Sequence, residues 1–428
     1  AASDVYKRQL RNMDLKNNWK VTLGILTLSS VLMSSGYTML IPFLPMYLIQ
    51  DLGVDVAEVN WWSGLIFSIT FLISGLMAPI WGAMADRKSR KLMAMRAAVC
   101  LAVSYFLGAF VQTPMQLFGM RALQGFSSGL WPATLAIMSA KAPSARLGLC
   151  LGVMQGGLTA GHVIGPFFGG AMAELFGMRA SFLVAAGGLT CIATMIFFFI
   201  DEPPKAPVAA KVESVQSKWR IHPTLKNPVI QRMLFAAAMV QLTVMMTQPV
   251  LPLYIAELQN SMDHIIFISG LVFSVVGISG IFASPLWGIL GQSWGYRPVL
   301  YLSLVLGATF GWIQAVPFDL TQFTIWRFIG GIAFAGIFPA INAVLTQSTD
   351  PADRGRVFGY SYCAQQLGSV LGPILGGVMA TYLTNQIVLG IAGALLYPVA
   401  AVLIFGRPKK RAPATGTPVK TPSDQSEP

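Results

Sequence analysis

Stretches of about 20 apolar residues recur along nearly the whole chain, each long enough for a helix to cross roughly 30 Å of hydrocarbon. Twelve can be counted, centred near residues 35, 73, 101, 127, 160, 190, 242, 277, 307, 333, 370 and 396. In lipid every backbone N–H and C=O must find its partner within the protein, so runs of this length specify an all-α membrane protein of twelve transmembrane helices. Composition agrees: 54% of the 428 residues are hydrophobic and 11% charged, with a mean hydropathy of +0.63. None of the runs has the short core and small-residue cleavage site of a secretory signal, so the first is read as a retained helix.

Charge placement predicts orientation. With the N-terminus in the cytoplasm, the loops on that side carry 26 of the 29 Lys and Arg, and the opposite loops carry Arg179 together with Asp51, Asp55, Glu58, Glu174, Glu257, Asp263 and Asp319. That asymmetry predicts a multi-pass protein of the cytoplasmic membrane with both termini inside. It also accounts for the net charge of +12 as contact with anionic lipid, so no nucleic-acid partner is expected. Cys100, Cys150, Cys191 and Cys363 stand singly in apolar runs, without metal-ligand spacing, and read as reduced packing residues.

Residues 1–20 read as an N-terminal cytoplasmic segment, with 1–12 a leader that precedes the native start at Met13; the polar, proline-rich tail 407–428 is expected to be disordered. Between them the chain divides into six-helix bundles over 21–200 and 229–406, joined by a cytoplasmic linker at 201–228 rich in proline and mixed charge.

The two bundles are copies. GHVIGPFFGG (Gly161–Gly170) returns as GSVLGPILGG (Gly368–Gly377), and PFLPMYL (from Pro42) as PVLPLYI (from Pro249), both 207 residues on. SGLIFS (from Ser63) matches SGLVFS (from Ser269), APIWG (ending at Gly82) matches SPLWG (ending at Gly288) and Arg121 matches Arg327, each 206 residues apart. Six helices is an even number, so both copies share one orientation, the parallel repeat of transporters whose site lies between the halves. Within the repeat, Gly161, Gly165 and Gly169, like Gly368, Gly372 and Gly376, recur every four residues and form a smooth helix face for close approach. These ridges are expected to be the surface on which the halves slide, with Pro166 and Pro373 kinking or softening their helices.

The motifs resemble those of the major facilitator superfamily over essentially all of Asn17–Phe405. GAMADRKSRK (Gly82–Lys91) resembles its loop signature, departing only at Ser89 where glycine is usual. MRALQG (Met120–Gly125) resembles its fourth-helix motif, and GHVIGPFFGG, including Gly170, the fifth-helix motif of the drug–proton antiporter branch. The resemblance implies a twelve-helix, two-bundle, alternating-access transporter similar to multidrug and tetracycline exporters. It further implies a cytoplasmic gate at Gly82, Asp86, Arg87, Arg90 and Lys91, and a proton-relay role for Arg121 with Gln124 and Gly125.

The residues themselves support a latch at Asp86, because a pure topology anchor needs only basic groups. Arg121 and Arg327 within apolar runs should face protein or water; the alternative is that each snorkels to the outer surface. No Asp or Glu lies deep in a run, so the obvious coupling acid is missing, and His162 either titrates or packs. A substrate cavity is predicted at Tyr37, Trp131, Gln155, Met245, Phe338, Asn342, Tyr362 and Gln365, whose soft and aromatic side chains suit a bulky amphipathic ligand. With no nucleophile triad, metal cluster or paired carboxylates legible, the sequence predicts no enzyme, no metal and no cofactor. It predicts a monomeric exporter of small amphipathic compounds driven by the proton gradient; a permease for a neutral or anionic metabolite and a transporter-like receptor are the alternatives.

Overall fold

Proline and glycine cut five of the membrane crossings into two pieces each, and the cuts in the first and fourth crossings repeat in the seventh and tenth. The computed structural model describes residues 18–87, 89–143, 146–201, 223–261, 264–317, 319–350 and 353–406, and its described regular elements are all helical. The first half comprises α1 (Trp19–Met39), α2 (Leu44–Gln50), α3 (Val56–Arg87), α4 (Arg90–Gly108), α5 (Pro114–Phe126), α6 (Leu130–Lys141), α7 (Leu147–Phe176) and α8 (Met178–Phe199). The second comprises α9 (Pro228–Met246), α10 (Leu251–Gln259), α11 (Ile265–Trp294), α12 (Tyr296–Ile313), α13 (Leu320–Phe334), α14 (Ile337–Gln347), α15 (Arg354–Tyr382), α16 (Asn385–Ala394) and α17 (Leu396–Phe405). Pairing α1 with α2, α5 with α6, α9 with α10, α13 with α14 and α16 with α17 gives twelve crossings among the described residues, six in each half. Nine stretches are long and apolar enough to span on their own; the crossings at 114–141, Tyr296–Ile313 and Arg354–Tyr382 are more polar and pack among them.

The repeated PFLP and PVLP segments end α1 and α9, because a proline ring cannot supply the N–H the next turn needs. In the fourth crossing the break is at Gly129, with φ of 107°, a conformation that costs glycine little. Each break leaves carbonyls at a helix end without their usual i+4 donors. A tryptophan from the neighbouring crossing supplies one: Trp81 Nε1 donates to the Phe126 carbonyl at 2.9 Å, and Trp287 Nε1 to that of Ile332 at 2.6 Å. That is the physical reason APIWG and SPLWG recur. In the first half Arg96 reinforces the joint, its guanidinium 3.6 Å from the Trp81 ring centroid and its Nη2 donating to the Ser128 carbonyl at 2.6 Å. Trp287→Phe keeps the ring and removes one part-buried hydrogen bond, and should lower stability by about 0.5–1.5 kcal/mol in a melting assay.

The glycine ridges do not lie between the halves. A Cβ on Gly169 would sit 2.5 Å from the Met39 carbonyl, and Cβ atoms on Gly161 and Gly165 would strike Val31, Ser35 and Thr38, all on α1. Gly368, Gly372 and Gly376 press in the same way on Ala238, Leu242 and Met246 of α9. Each ridge therefore welds the fifth crossing of its half to the first. The expectation of a sliding surface is corrected: a four-residue period makes a face smooth but does not choose what covers it. The helices also run unbroken through Pro166 and Pro373.

The halves meet through other glycines. Gly170 and Gly270 face each other across α7 and α11, with Gly270 against the Pro166 carbonyl; Gly64 and Gly377 do the same across α3 and α15, a Cβ on Gly64 lying 2.5 Å from the Pro373 carbonyl. Ser274 Oγ donates to the Val163 carbonyl at 2.7 Å, Ser68 Oγ to Val370 at 2.8 Å and Asn60 Nδ2 to Ala380 at 3.2 Å. These seams occupy the end of the bundle remote from residues 18 and 406. There one continuous apolar core joins the first half to Leu251, Ile265, Phe323 and Val388 of the second, while Ile230, Trp287, Val344 and Leu403 at the opposite end belong to a separate core.

Candidate functional site

Five helical turns, 18 residues, return a side chain to the same face of a helix. Gly152, Gly288 and Gly359 stand five turns from Gly170, Gly270 and Gly377, yet a Cβ on any of the three would meet nothing within 4 Å. The seams that are closed at the far end are thus open at the end bearing residues 18 and 406, and a gap runs up between the halves. A latch spans the closed end, where His264 Nδ1 lies 2.7 Å from Glu174 Oε1. The histidine is largely exposed, so the pair is worth under about 1 kcal/mol. Glu174→Gln should therefore shift the balance of open and closed far ends by only a few-fold, read as reactivity of a thiol introduced at that end.

Within the first half, Arg121 is 2% exposed. Its Nη1 donates to Gln124 Oε1 at 3.2 Å, the guanidinium lies 5.5 Å from the Phe67 centroid, and Nε and Nη2 have no partner. Such burial rules out snorkelling for Arg121. Gly125, one residue beyond Gln124, lets α5 close on α3, where its Cβ would be 2.5 Å from the Thr70 carbonyl. Arg327 is half-buried between Phe273 and Phe323, at 5.7 and 5.8 Å, and donates to Gln314 Oε1 at 3.2 Å. Glutamines, not carboxylates, hold both arginines.

His162 Nδ1 lies 2.8 Å from Ser34 Oγ of α1 and 2.9 Å from the Leu158 carbonyl, with the ring exposed. Gln155, two turns earlier, is exposed on the same side of α7. Ile164, Phe168 and Val153 are exposed on the opposite side, the lipid-facing one, which leaves His162 and Gln155 on the gap side. Of the other predicted cavity residues, Tyr362 and Asn342 are exposed, while Tyr37, Trp131, Met245, Phe338 and Gln365 are half-buried. Tyr37 packs edge-on to Phe71 at 6.0 Å, and Met245 lies against Gly372 of the ridge.

At the loop signature, Ser89 caps α4, its Oγ accepting from the Leu92 N–H at 3.0 Å with φ of −90°. No left-handed residue is needed there, so serine replaces glycine without strain. Arg90 donates to the Ala136 carbonyl at 3.3 Å and Lys91 to that of Phe197 at 2.8 Å, tying the loop to α6 and α8. The side chains of Gly82, Asp86 and Arg87 lie outside the described residues, as do residues 1–17 of the N-terminal segment, 202–222 of the linker and 407–428 of the tail.

Comparison with known proteins converges on one group. The family model described as Major Facilitator Superfamily matches residues 26–281 and 233–424. "Multidrug resistance protein MdtG" of Proteus mirabilis is 34% identical over 398 residues, 92% of this chain and 96% of that protein. A "Multi-drug resistance efflux pump PmrA homolog" of Lactococcus lactis is 33% identical over 386 residues, covering 90% and 94%. Among solved structures the nucleoside transporter NupG superposes with a TM-score of 0.76 at 15% identity over 91% of this chain and 98% of that one. A bacterial homologue of the human lysosomal transporter Spinster, inward-facing and unoccupied, gives 0.72 at 15% identity over 92% and 99%. Two repeated six-crossing halves, seamed at one end and parted at the other, with family and relatives matched along nearly the full length, place this chain in the Major Facilitator Superfamily.

Proposed function

We propose that this protein exports small amphipathic or hydrophobic compounds across the cytoplasmic membrane by proton antiport, working as a monomer with both termini in the cytoplasm. The observation that carries the reading is the gap itself: among the described residues the halves meet at one end only, with the exposed side chains of His162, Gln155, Tyr362 and Asn342 on the helices beside it. In the proposed orientation that gap opens to the cytoplasm, where a drug would enter. The names of the 33–34% identical relatives support multidrug efflux. Asp86 is proposed to latch the cytoplasmic end when it closes. The test is accumulation of ethidium in cells expressing the protein: reduced accumulation that a protonophore abolishes supports the reading, and unchanged accumulation contradicts it.

A second reading is favoured by Arg121. A buried cation with two unpartnered nitrogens, and no carboxylate in the middle of any described crossing, suits a neutral or anionic substrate better than a cation. Uptake of a labelled organic anion down its gradient, faster in expressing cells than in controls, would select it.

A further inference from the structure

The repeat provides its own control for His162. Ser34 and His162 are 128 residues apart and bond side chain to side chain between the first and fifth crossings. At the matching place in the second half, also 128 residues apart, Gln241 Nε2 donates to Ser369 Oγ at 3.1 Å. Ser369 follows Gly368 as His162 follows Gly161. The two halves therefore make the same cross-helix bond, once with a pair that cannot titrate and once with an imidazole. Packing at this position is met without histidine. The second difference is access: Ser369 is 1% exposed, whereas the His162 ring is exposed on the gap side of α7.

With the hydrogen on Nδ1, donated to the Leu158 carbonyl at 2.9 Å, the Nε2 lone pair is the free base of the neutral ring. Protonation at Nε2 leaves both Nδ1 contacts as they are and adds one positive charge to the wall of the gap. We propose that His162 is the proton-carrying residue of the exchange, an assignment that rests on the antiport reading above.

With the gap open to the cytoplasm, the imidazolium loses its Nε2 proton to water and the neutral wall admits a cationic compound. With the gap open outward, Nε2 takes a proton from water, and the new charge disfavours a cation in the same space. One proton moves inward for each cycle. The charged groups on helices packed against α7 are at helix ends: Lys20 on α1, Lys141 on α6, Arg179 on α8 and His264 beside α11. Tyr37, one turn from Ser34 on α1, is the remaining oxygen acid near this level, and Cys150 and Cys191 lie on α7 and α8. The one carboxylate on these helices, Glu174 of α7, stands twelve residues from His162 at the far helix end, beside His264.

The experiment uses the full chain in vesicles with trapped pyranine, ethidium as the probe, and two variants. His162→Gln removes the base. The double variant Ser34→Gln/His162→Ser transplants the second half's own pair, keeping the helix contact without titration. Wild type should accumulate ethidium against its gradient when a pH difference is imposed, with counterflow of protons. It should also bind ethidium more weakly, by up to about fourfold, as pH falls from about 8 to about 6. Both variants should lose uphill accumulation and proton counterflow, with ethidium binding flat with pH. Variants that still accumulate ethidium uphill overturn the assignment to His162 alone. A wild type that moves ethidium without protons overturns the antiport reading and this assignment with it.

Discussion

Gly165→Leu should cost the protein its first half, whereas Gly377→Leu should leave a folded protein that cannot close its far end. The contrast follows from what each residue touches. A side chain at Gly165 enters the backbone of α1 at Ser35 and the hydroxyl of Thr38, inside a six-crossing bundle with no route of retreat. Overpacking of this kind costs about 1–3 kcal/mol or more, and a collision with main chain is at the upper end. A side chain at Gly377 meets the Asn60 carbonyl and Gly64, 3.2 Å away, across the seam between halves, and the halves can part to relieve it. Detergent-extracted Gly165→Leu should be lost to aggregation in size-exclusion chromatography. Gly377→Leu should elute as wild type, with transport down by at least about tenfold and the far end labelled more readily by thiol reagents after Tyr382→Cys is added. Equal loss of folded protein in both variants would refute the division of labour between ridge and seam.

The second large effect is at Arg121. A charge in the membrane interior costs at least ~2.5 kcal/mol, and its partners here are an amide and an aromatic face, with no carboxylate to offset that cost. Its retention is then explained by function, not stability. Arg121→Leu should melt at the wild-type temperature or higher while transport falls by at least about tenfold. Arg121→Lys should not restore transport, since an ammonium has neither the fork that reaches Gln124 nor a planar face for Phe67. Lower stability with full transport in Arg121→Leu would reverse the argument.

Much of the architecture was legible because membrane burial writes long, unmistakable signals. The twelve runs follow from lipid thickness, and the repeat offset of 206–207 residues was plain in the letters; the breaks at PFLP and PVLP were not read as breaks, while the prolines expected to disturb helices, Pro166 and Pro373, leave theirs continuous. What could not be read was which surface faces which. Gly169 and Gly170 are adjacent letters of one motif, but one residue turns a helix by about 100°, so the first presses on α1 and the second on the opposite half. The ridge was visible through its period; the seam uses single glycines with none. The stitching tryptophans had a signal, APIWG with SPLWG, whose purpose appears only once the broken crossings beside them are seen. The contact of Ser34 with His162 had no local signal, since 128 residues separate them.

The central claim is that the halves rock about a gap, one end opening as the other closes. Its most direct test is a pair of distances measured by double electron–electron resonance in the reconstituted protein. Gly152→Cys/Gly288→Cys reports the end bearing the termini and Leu175→Cys/Tyr382→Cys the far end, each on a background with the four native cysteines replaced. Ethidium together with an imposed pH difference should shorten the first distance and lengthen the second. Distances that stay fixed at both ends while transport proceeds would contradict it.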